Sequence, residues 1–434
     1  MESVSGKFFR RGIHTADMKH LAKNVPIEEA TVPKEVCISL SQHIGKPATL
    51  LVAVGDEVKQ GQMIARADGF VSAPIFSSVS GKVKSVDFKT EERGTVGQYV
   101  TVENDEKYDF MPLTGEVDIN DATSIKQRII DAGIVGLGGA AFPTGVKLSP
   151  KTSVDTLIIN GAECEPYLTC DYRLMIEKTE ELYKGIKLLK TALGVSNVLF
   201  GIEKNKPDAI ALFEKYDDLQ VVKLKERYPM GGEKQLIYCC TGRKVPCGKL
   251  PADVGCVVQN VSTAYAVYEA VEKNKPLFER VITVSGGAIK EPKNLLVKNG
   301  TSYEHIFALC GGIDEENLGM LIDGGPMMGY SVISTSFYTK KATSGLLALT
   351  KKEVNLEEPT PCLSCGKCSA VCPMHLMPMD IDFYTQAGEY EKARDLGGVM
   401  NCIECGACAY ICPARRAIVQ SVAMAKAKLR AMKG

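Results

Sequence analysis

Cys362-Leu-Ser-Cys365-Gly-Lys-Cys368-Ser-Ala-Val-Cys372-Pro373 and Cys402-Ile-Glu-Cys405-Gly-Ala-Cys408-Ala-Tyr-Ile-Cys412-Pro413 carry one spacing twice, forty residues apart. This C-x2-C-x2-C-x3-C-P run is the pattern for a pair of [4Fe–4S] clusters. The tight C-x2-C-x2-C turn sets three thiolates round one face of a cube, and the fourth cysteine, one helical turn on, points away to the other cluster. Cys362, Cys365, Cys368 and Cys412 are therefore expected to hold one cluster, and Cys402, Cys405, Cys408 and Cys372 the other. Gly366 and Gly406 let the backbone approach the inorganic sulfides, and Pro373 and Pro413 close the loops. Structural zinc favours paired C-x2-C knuckles rather than eight cysteines in this interlocked register. The spacing predicts a protein that moves electrons.

Composition narrows the setting. A chain of 434 residues accommodates several domains, and its 52 basic residues balance 52 acidic ones, which gives no field suited to nucleic acid. Half of the sixteen cysteines lie in the two runs; the others (Cys37, Cys164, Cys170, Cys239, Cys240, Cys247, Cys256 and Cys310) show no metal-ligand spacing and read mostly as small buried hydrophobes. The opening Met1-Glu-Ser-Val-Ser-Gly-Lys lacks the apolar core of a signal peptide, so a reducing, cytosolic setting is expected. No run approaches the length of an apolar membrane span, so any membrane association is expected to be peripheral.

Upstream, the pattern changes several times. Residues 1–40 are polar and proline-punctuated, and read as an extension that wraps another domain. Over 41–115, short β-branched runs separated by glycine turns, as in Leu50 to Val58 and Ile75 to Val83, read as successive hairpins. Their phrasing resembles the barrel-sandwich fold of lipoyl carriers, but the stretch Gly69 to Pro74 has no lysine to modify, so the module is expected to be structural. Over 116–278 strands and helices alternate: Thr156 to Asn160 and Asn197 to Ile202 are strand-like, and Arg173 to Leu193 carries apolar residues at helical spacing. Residues 279–345 resemble a β-grasp (SLBB-like) module, with a strand at Val281 to Val284 and a helix at Thr301 to Leu309. Residues 346–434 hold the cysteine runs in a helical, ferredoxin-like domain. His375, outside the cysteine pattern, reads as a surface or packing residue. Arg415, Arg416, Lys426, Lys428, Arg430 and Lys433, with Ile418, Val422 and Leu429 at near-helical spacing, predict a basic amphipathic C-terminal helix. Its two readings are a solvated helix end or a face for membrane subunits or anionic lipid.

A second segment bears on chemistry. Gly136-Leu-Gly138-Gly139-Ala-Ala-Phe142-Pro143-Thr144-Gly145-Val-Lys147 is dense enough in glycine for backbone N–H groups to converge on an anion, with Lys147 adding a point charge. A strand ending in Asn160-Gly-Ala-Glu163-Cys-Glu165-Pro166 follows, which sets carboxylates where the ligand crevice of a parallel sheet opens. Further on come Tyr228-Pro-Met-Gly231-Gly232-Glu233 and Gln259-Asn260.

This ordered set resembles the flavoprotein subunit of respiratory complex I, whose loop runs G-R-G-G-A-G-F-P-T-G-x-K. It is still more similar to the C-subunit family of Rnf complexes, membrane-bound ferredoxin:NAD oxidoreductases, and the resemblance covers nearly the whole chain. By position it implies that Gly136, Gly138, Gly139, Lys147, Asn160, Glu163 and Asn260 contact FMN, that Phe142 and Glu165 face NAD(H), and that Glu233 lies near both. Leu137, Ala162 and Gly232 depart from the complex I pattern in the manner of the Rnf branch. The fold implied is multidomain α/β plus β: barrel-sandwich module, FMN/NAD(H) α/β domain, β-grasp module and ferredoxin-like domain. The activity implied is hydride exchange between NAD(H) and FMN, then single-electron transfer through two [4Fe–4S] clusters to other Rnf subunits, membrane-embedded or iron–sulfur, with ferredoxin reached indirectly. The expected location is the cytoplasmic face of the cell membrane. Two alternatives share the clusters. One is a non-enzymatic electron-carrier adaptor, against which stand the intact loop and the paired Glu163 and Glu165. The other is an Rnf-C-like protein feeding proline reductase, often a selenoprotein, whereas ordinary cysteines stand here throughout.

Overall fold

A computed structural model describes residues 4–432. Its centre is a five-stranded, all-parallel sheet in the order Val4–Ser5, Gln220–Leu224, Asn197–Glu203, Thr156–Gly161, Cys256–Asn260. A parallel sheet is covered on both faces, so its strands are continuous apolar runs. Leu157 and Ile159 accordingly face one core, with Leu182, Ile186 and Val267, while Ile158 faces a second, with Leu236 and Ile237 of the helix Glu233–Thr241. The expected helix from Arg173 to Leu193 is two, Cys170–Glu177 and Thr179–Leu193, because Lys178 leaves helical geometry at φ −125° and ψ 37°. Gly194, at φ 67°, ends the second helix in the left-handed conformation that glycine adopts without a Cβ penalty.

Two antiparallel sheets make the N-terminal β module. One runs Glu35–Ser39, Val96–Asn104, Gly81–Thr90, Glu57–Val58; the other runs Thr49–Leu50, Met63–Arg66, Ile75–Phe76. They enclose Val36, Ile38, Ile64, Val79, Val100 and Val102. A six-stranded mixed sheet follows, in the order Tyr330–Val332, Leu318–Asp323, Gly345–Thr350, Glu279–Ser285, Lys293–Lys298, Ile27–Glu29. Its middle strands, a hairpin with a parallel pair beside it, and the helix Tyr303–Leu309 give a β-grasp; Ser302 caps that helix by accepting from the His305 N–H. The boundary expected after residue 345 cuts the strand Gly345–Thr350, so the module runs on to Thr350.

Residues 1–40 form no separate extension in their described part. Val4–Ser5 completes the parallel sheet, Ile27–Glu29 edges the mixed sheet, and Glu35–Ser39 belongs to the β module. At the other end, the helix Ile418–Ala431 turns Ile418, Val422 and Leu429 inward against the ferredoxin-like domain, where Val422 and Leu429 pack with Ile381 and Ala393. Arg416 pairs with Asp382, Arg415 with Glu357 and Lys426 with Glu404, which leaves Lys428 and Arg430 exposed. The apolar stripe is thus covered by the chain itself. Lys433 lies outside the described residues. His375 is exposed.

Candidate functional site

The parallel sheet changes direction beside Thr156–Gly161: the chain runs from it to Asn197–Glu203 on one side, while Cys256–Asn260 flanks the other. Such a switch point opens a crevice at the carboxyl ends of the strands. Asn160 and Asn260 stand there in register. Asn160 Nδ2 donates to the Gly231 carbonyl (2.9 Å), and Asn260 caps the helix Val261–Glu272 by accepting from the Thr263 N–H. Across the crevice lies the glycine loop. A Cβ at Gly138 would stand 3.2 Å from the Asn260 Cβ, a tight contact that marks how closely the loop approaches Asn260, and Gly139 takes a φ of +124°, which favours glycine. The loop closes on itself through Gly136 N–H to the Phe142 carbonyl (2.8 Å), with Phe142 half-buried. Lys147 ends the short helix Thr144–Lys147, and its ammonium lies 2.6 Å from Glu233 Oε1, at the start of the helix Glu233–Thr241.

Glu163 and Glu165 are the buried acids of the crevice. Burial pushes both carboxyls up to about 7, against the opposing pull of Lys19, and for Glu165 also of N–H donors from Met327 and Met328. Glu163 Oε1 accepts from the Asp171 N–H (2.7 Å) and the Tyr172 N–H (3.2 Å), and its other oxygen lies 3.8 Å from the Lys19 ammonium. That second oxygen, among the described residues, accepts no hydrogen bond although buried, which suits a donor on a ligand. Glu165 Oε2 accepts from the Met327 N–H (3.0 Å), and its Oε1 lies 3.4 Å from the Tyr228 hydroxyl.

The cysteines line two pockets. Cys402, Cys405 and Cys408 line one together with Cys372, from the other run; Cys362, Cys365 and Cys368 line the second together with Cys412. Each run turns the same way, with Ser364 and Glu404 at φ 51° and 55° and Gly366 and Gly406 at 72° and 77°. In each, an N–H two residues on donates to the first sulfur, Ser364 to Cys362 and Glu404 to Cys402, both at 3.4 Å. Such N–H···S contacts tune cluster potentials. Among the described residues no three His, Cys, Asp or Glu side chains converge as ligands of one ion. Four thiols spread round each pocket fit a cluster. Burial, with the neighbouring Cys402 and Cys372 adding to it, pushes the Cys405 thiol up to about 12, a bias that coordinated iron would reverse by its own charge.

Several residues of the site carry no sequence signal. Lys19, from the N-terminal segment, donates to the carbonyls of Glu165 (2.9 Å) and Leu168. Asp171 accepts from Asn260 Nδ2 and Ser262 Oγ, both at 2.6 Å, and so fixes the Asn260 amide. Tyr228, inside a motif that the sequence does single out, donates its hydroxyl to the Cys405 carbonyl (2.7 Å) and joins the crevice to one of the cysteine pockets.

Three stretches of the chain match known families. Residues 7–107 match the family of the RnfC barrel sandwich hybrid domain, 129–269 that of the Nuo51 FMN-binding domain, and 355–413 that of the 4Fe-4S dicluster domain. The chain is 46% identical to the C subunit of the proton-translocating ferredoxin:NAD(+) oxidoreductase complex of Clostridium ljungdahlii, over 98% of this chain and 94% of that one. It is 43% identical to the Na(+)-translocating counterpart of Acetobacterium woodii, over 97% of each chain. With the C subunit of the ion-translocating oxidoreductase complex of Rhodobacter capsulatus it shares 42% identity, over 97% of this chain and 83% of the relative. A chain of the NAD+-reducing [NiFe]-hydrogenase in the air-oxidized state matches in fold, at 17% identity and a TM-score of 0.50, over 72% of this chain and 67% of that one.

Proposed function

The chain belongs to the C-subunit family of ion-translocating ferredoxin:NAD(+) oxidoreductase (Rnf) complexes, and we propose that it is the component where such a complex exchanges electrons with NAD(H). It is an electron-transfer protein with FMN and iron–sulfur clusters as cofactors. When bound, FMN supplies a group able to exchange hydride with NAD(H) and single electrons with iron–sulfur clusters. Gly138 and Gly139 offer backbone N–H groups, and Lys147 a charge, to the flavin phosphate; Gly136, whose N–H is held by the Phe142 carbonyl, shapes the base of the cradle, while Asn160, Asn260 and Glu163 hold the rest of the flavin. Phe142 and Glu165 face the nicotinamide nucleotide, with Glu233 between the two ligands. The residue that frees Lys147 for phosphate is its own partner: a part-exposed pair with Glu233 holds little energy and exchanges readily.

Two [4Fe–4S] clusters are held in crossed fashion, one by Cys402, Cys405, Cys408 and Cys372, the other by Cys362, Cys365, Cys368 and Cys412. The pockets, each lined by three cysteines of one run and the last of the other, support this assignment. The observation that carries the functional reading is the contact from Glu165 through the Tyr228 hydroxyl to the Cys405 carbonyl, which puts the first of these pockets directly behind the crevice. Electrons pass between crevice and partner subunits by the pocket of Cys405 and then that of Cys365. Among the described residues no helix is long and apolar enough to cross a membrane. Attachment to the cytoplasmic face runs through membrane-embedded partners.

Anaerobic purification with flavin, iron and NADH:ferricyanide assays tests this. Lys147→Ala is expected to weaken FMN by about 1.5–3 kcal/mol, roughly tenfold to a hundredfold, by removing a charge-assisted phosphate contact. Glu165→Gln is expected to keep FMN and weaken NADH. Wild-type affinities for both ligands in both variants would place the site elsewhere.

A further inference from the structure

The glycine loop carries no cation of its own before Lys147. A buried one stands behind it, and it comes from another module. Arg280, in the β-grasp strand Glu279–Ser285, is 5% exposed. Its guanidinium donates to the Leu137 carbonyl (3.2 Å), the Lys341 carbonyl (2.7 Å) and the Val281 carbonyl (3.3 Å), all main-chain acceptors. Lys341, also buried, donates from its ammonium to the carbonyls of Gly133 (2.8 Å) and Pro74 (2.7 Å). Two basic side chains of the β-grasp module thus grip the segment 133–137 that leads into the loop.

Peptide geometry gives the consequence. A planar trans peptide holds its C=O and the following N–H on opposite sides. With the Leu137 carbonyl turned inward to Arg280, the Gly138 N–H is turned outward, toward the exposed face formed by Gly138, Gly139 and Ala140. Among the described residues those three N–H groups donate to no protein acceptor. The Leu137 N–H is tied as well, to Thr263 Oγ1 at 2.9 Å, so the residue is held on both sides.

We propose that Arg280 is a positioning residue for the flavin phosphate: it locks the Leu137–Gly138 peptide with its N–H outward and sets a fixed positive charge behind the loop. This rests on the reading of the loop as the FMN phosphate cradle. Orientation by a forked guanidinium is a property lysine does not share, since an ammonium is a point donor. The effect is specific to the phosphate, because an outward N–H and a cation behind it favour an anion and do nothing for the isoalloxazine ring.

The test compares FMN with riboflavin, which lacks the phosphate, by flavin fluorescence titration of the deflavinated full-length protein. Arg280→Met is expected to raise the Kd for FMN at least tenfold and that for riboflavin less than threefold. Arg280→Lys retains the charge, so it keeps the test decisive even if the methionine variant does not fold; it is expected to raise the FMN Kd about three- to tenfold with riboflavin unchanged. Equal weakening of both flavins, or wild-type binding of both by Arg280→Lys, would overturn the proposal. Lys147→Ala runs alongside. If it weakens FMN while the Arg280 variants do not, the role of Arg280 alone is lost; if none of the variants affects FMN, the cradle itself has been misread.

Discussion

The two cysteine runs share a spacing and a turn geometry but not an environment. In the run of residues 402–412, Cys405 is buried and packs with Ile13, Tyr228 and Ala407 against the α/β domain. In the run of residues 362–372, Cys362 and Cys365 are exposed, and Leu363 beside them is 64% exposed. The glycines mark the same contrast. A Cβ on Gly366 would meet nothing, whereas one on Gly406 would stand 2.5 Å from the Met327 carbonyl of the β-grasp module. Two copies of one motif have thus become an inner pocket facing the crevice of the parallel sheet and an outer one facing solvent. The difference lies in what packs round the motif rather than in the motif.

The strongest way to break this comparison is to remove the cysteine that each run lends to the other. Cys412→Ser is expected to abolish the outer cluster and Cys372→Ser the inner one, each with loss of roughly half the bound iron. Paramagnetic resonance on the two variants distinguishes them. Loss of the inner cluster alone in Cys412→Ser would end the crossed assignment.

Substitution at the matched glycines sharpens it. Both need the left-handed backbone, so Gly366→Ala is expected to cost about 1 kcal/mol. Gly406→Ala adds a clash with a main-chain carbonyl that cannot swing aside, and is expected to cost about 3 kcal/mol or more in total. Thermal unfolding of the two variants should differ accordingly; equal shifts would mean the β-grasp loop does not press on the inner run.

A pH-dependent effect, smaller than that of Gly406→Ala, concerns the acid behind the inner pocket. Burial raises the Glu165 carboxyl from 4.5 to about 7 in the folded chain. At this group the folded state therefore binds more protons than the unfolded state, and its contribution to stability is fully present below about 4.5 and is lost as pH rises through 7. Glu165→Gln removes this term. The difference in unfolding free energy between variant and parent, read by denaturant titration, is expected to grow in favour of the variant from pH 5 to 8, by on the order of 2 kcal/mol. A pH-independent difference would show that Glu165 titrates normally.

How much of this was legible depends on sequence separation. The cysteine register, the glycine loop and the alternating strands and helices are local patterns, and each lies where the periodicity or spacing sets it. The single helix expected from Arg173 to Leu193 failed at Lys178, a residue with no breaker chemistry, where packing overrode propensity. The long-range partners left no trace. Lys19 meets Glu165 across 146 positions and Tyr228 meets Cys405 across 177, and neither residue type predicts its partner. The same holds for strand Glu35–Ser39, whose apolar run is readable but whose pairing with Val96–Asn104 is not. The C-terminal helix shows the limit most directly: its amphipathic stripe was legible, and what covers it was decided by Ile381 and Ala393.

The N-terminal segment has a consequence in time. Val4–Ser5 pairs with the strand Gln220–Leu224, and just after it Gly12 donates to the Val371 carbonyl and Arg11 to the Ser369 carbonyl, 358 positions away. These residues, made long before the partners they meet, are thus among the last to find all their contacts. Closing so long a loop is entropically slow, and contacts of this separation retard folding. On a ribosome the β module can form early, but the parallel sheet waits for its edge strand's neighbour, and the seam to the cysteine domain waits until residue 371 has emerged. Docking of the inner pocket against the crevice is therefore a late event of synthesis, after the domains it joins have each acquired their own cores.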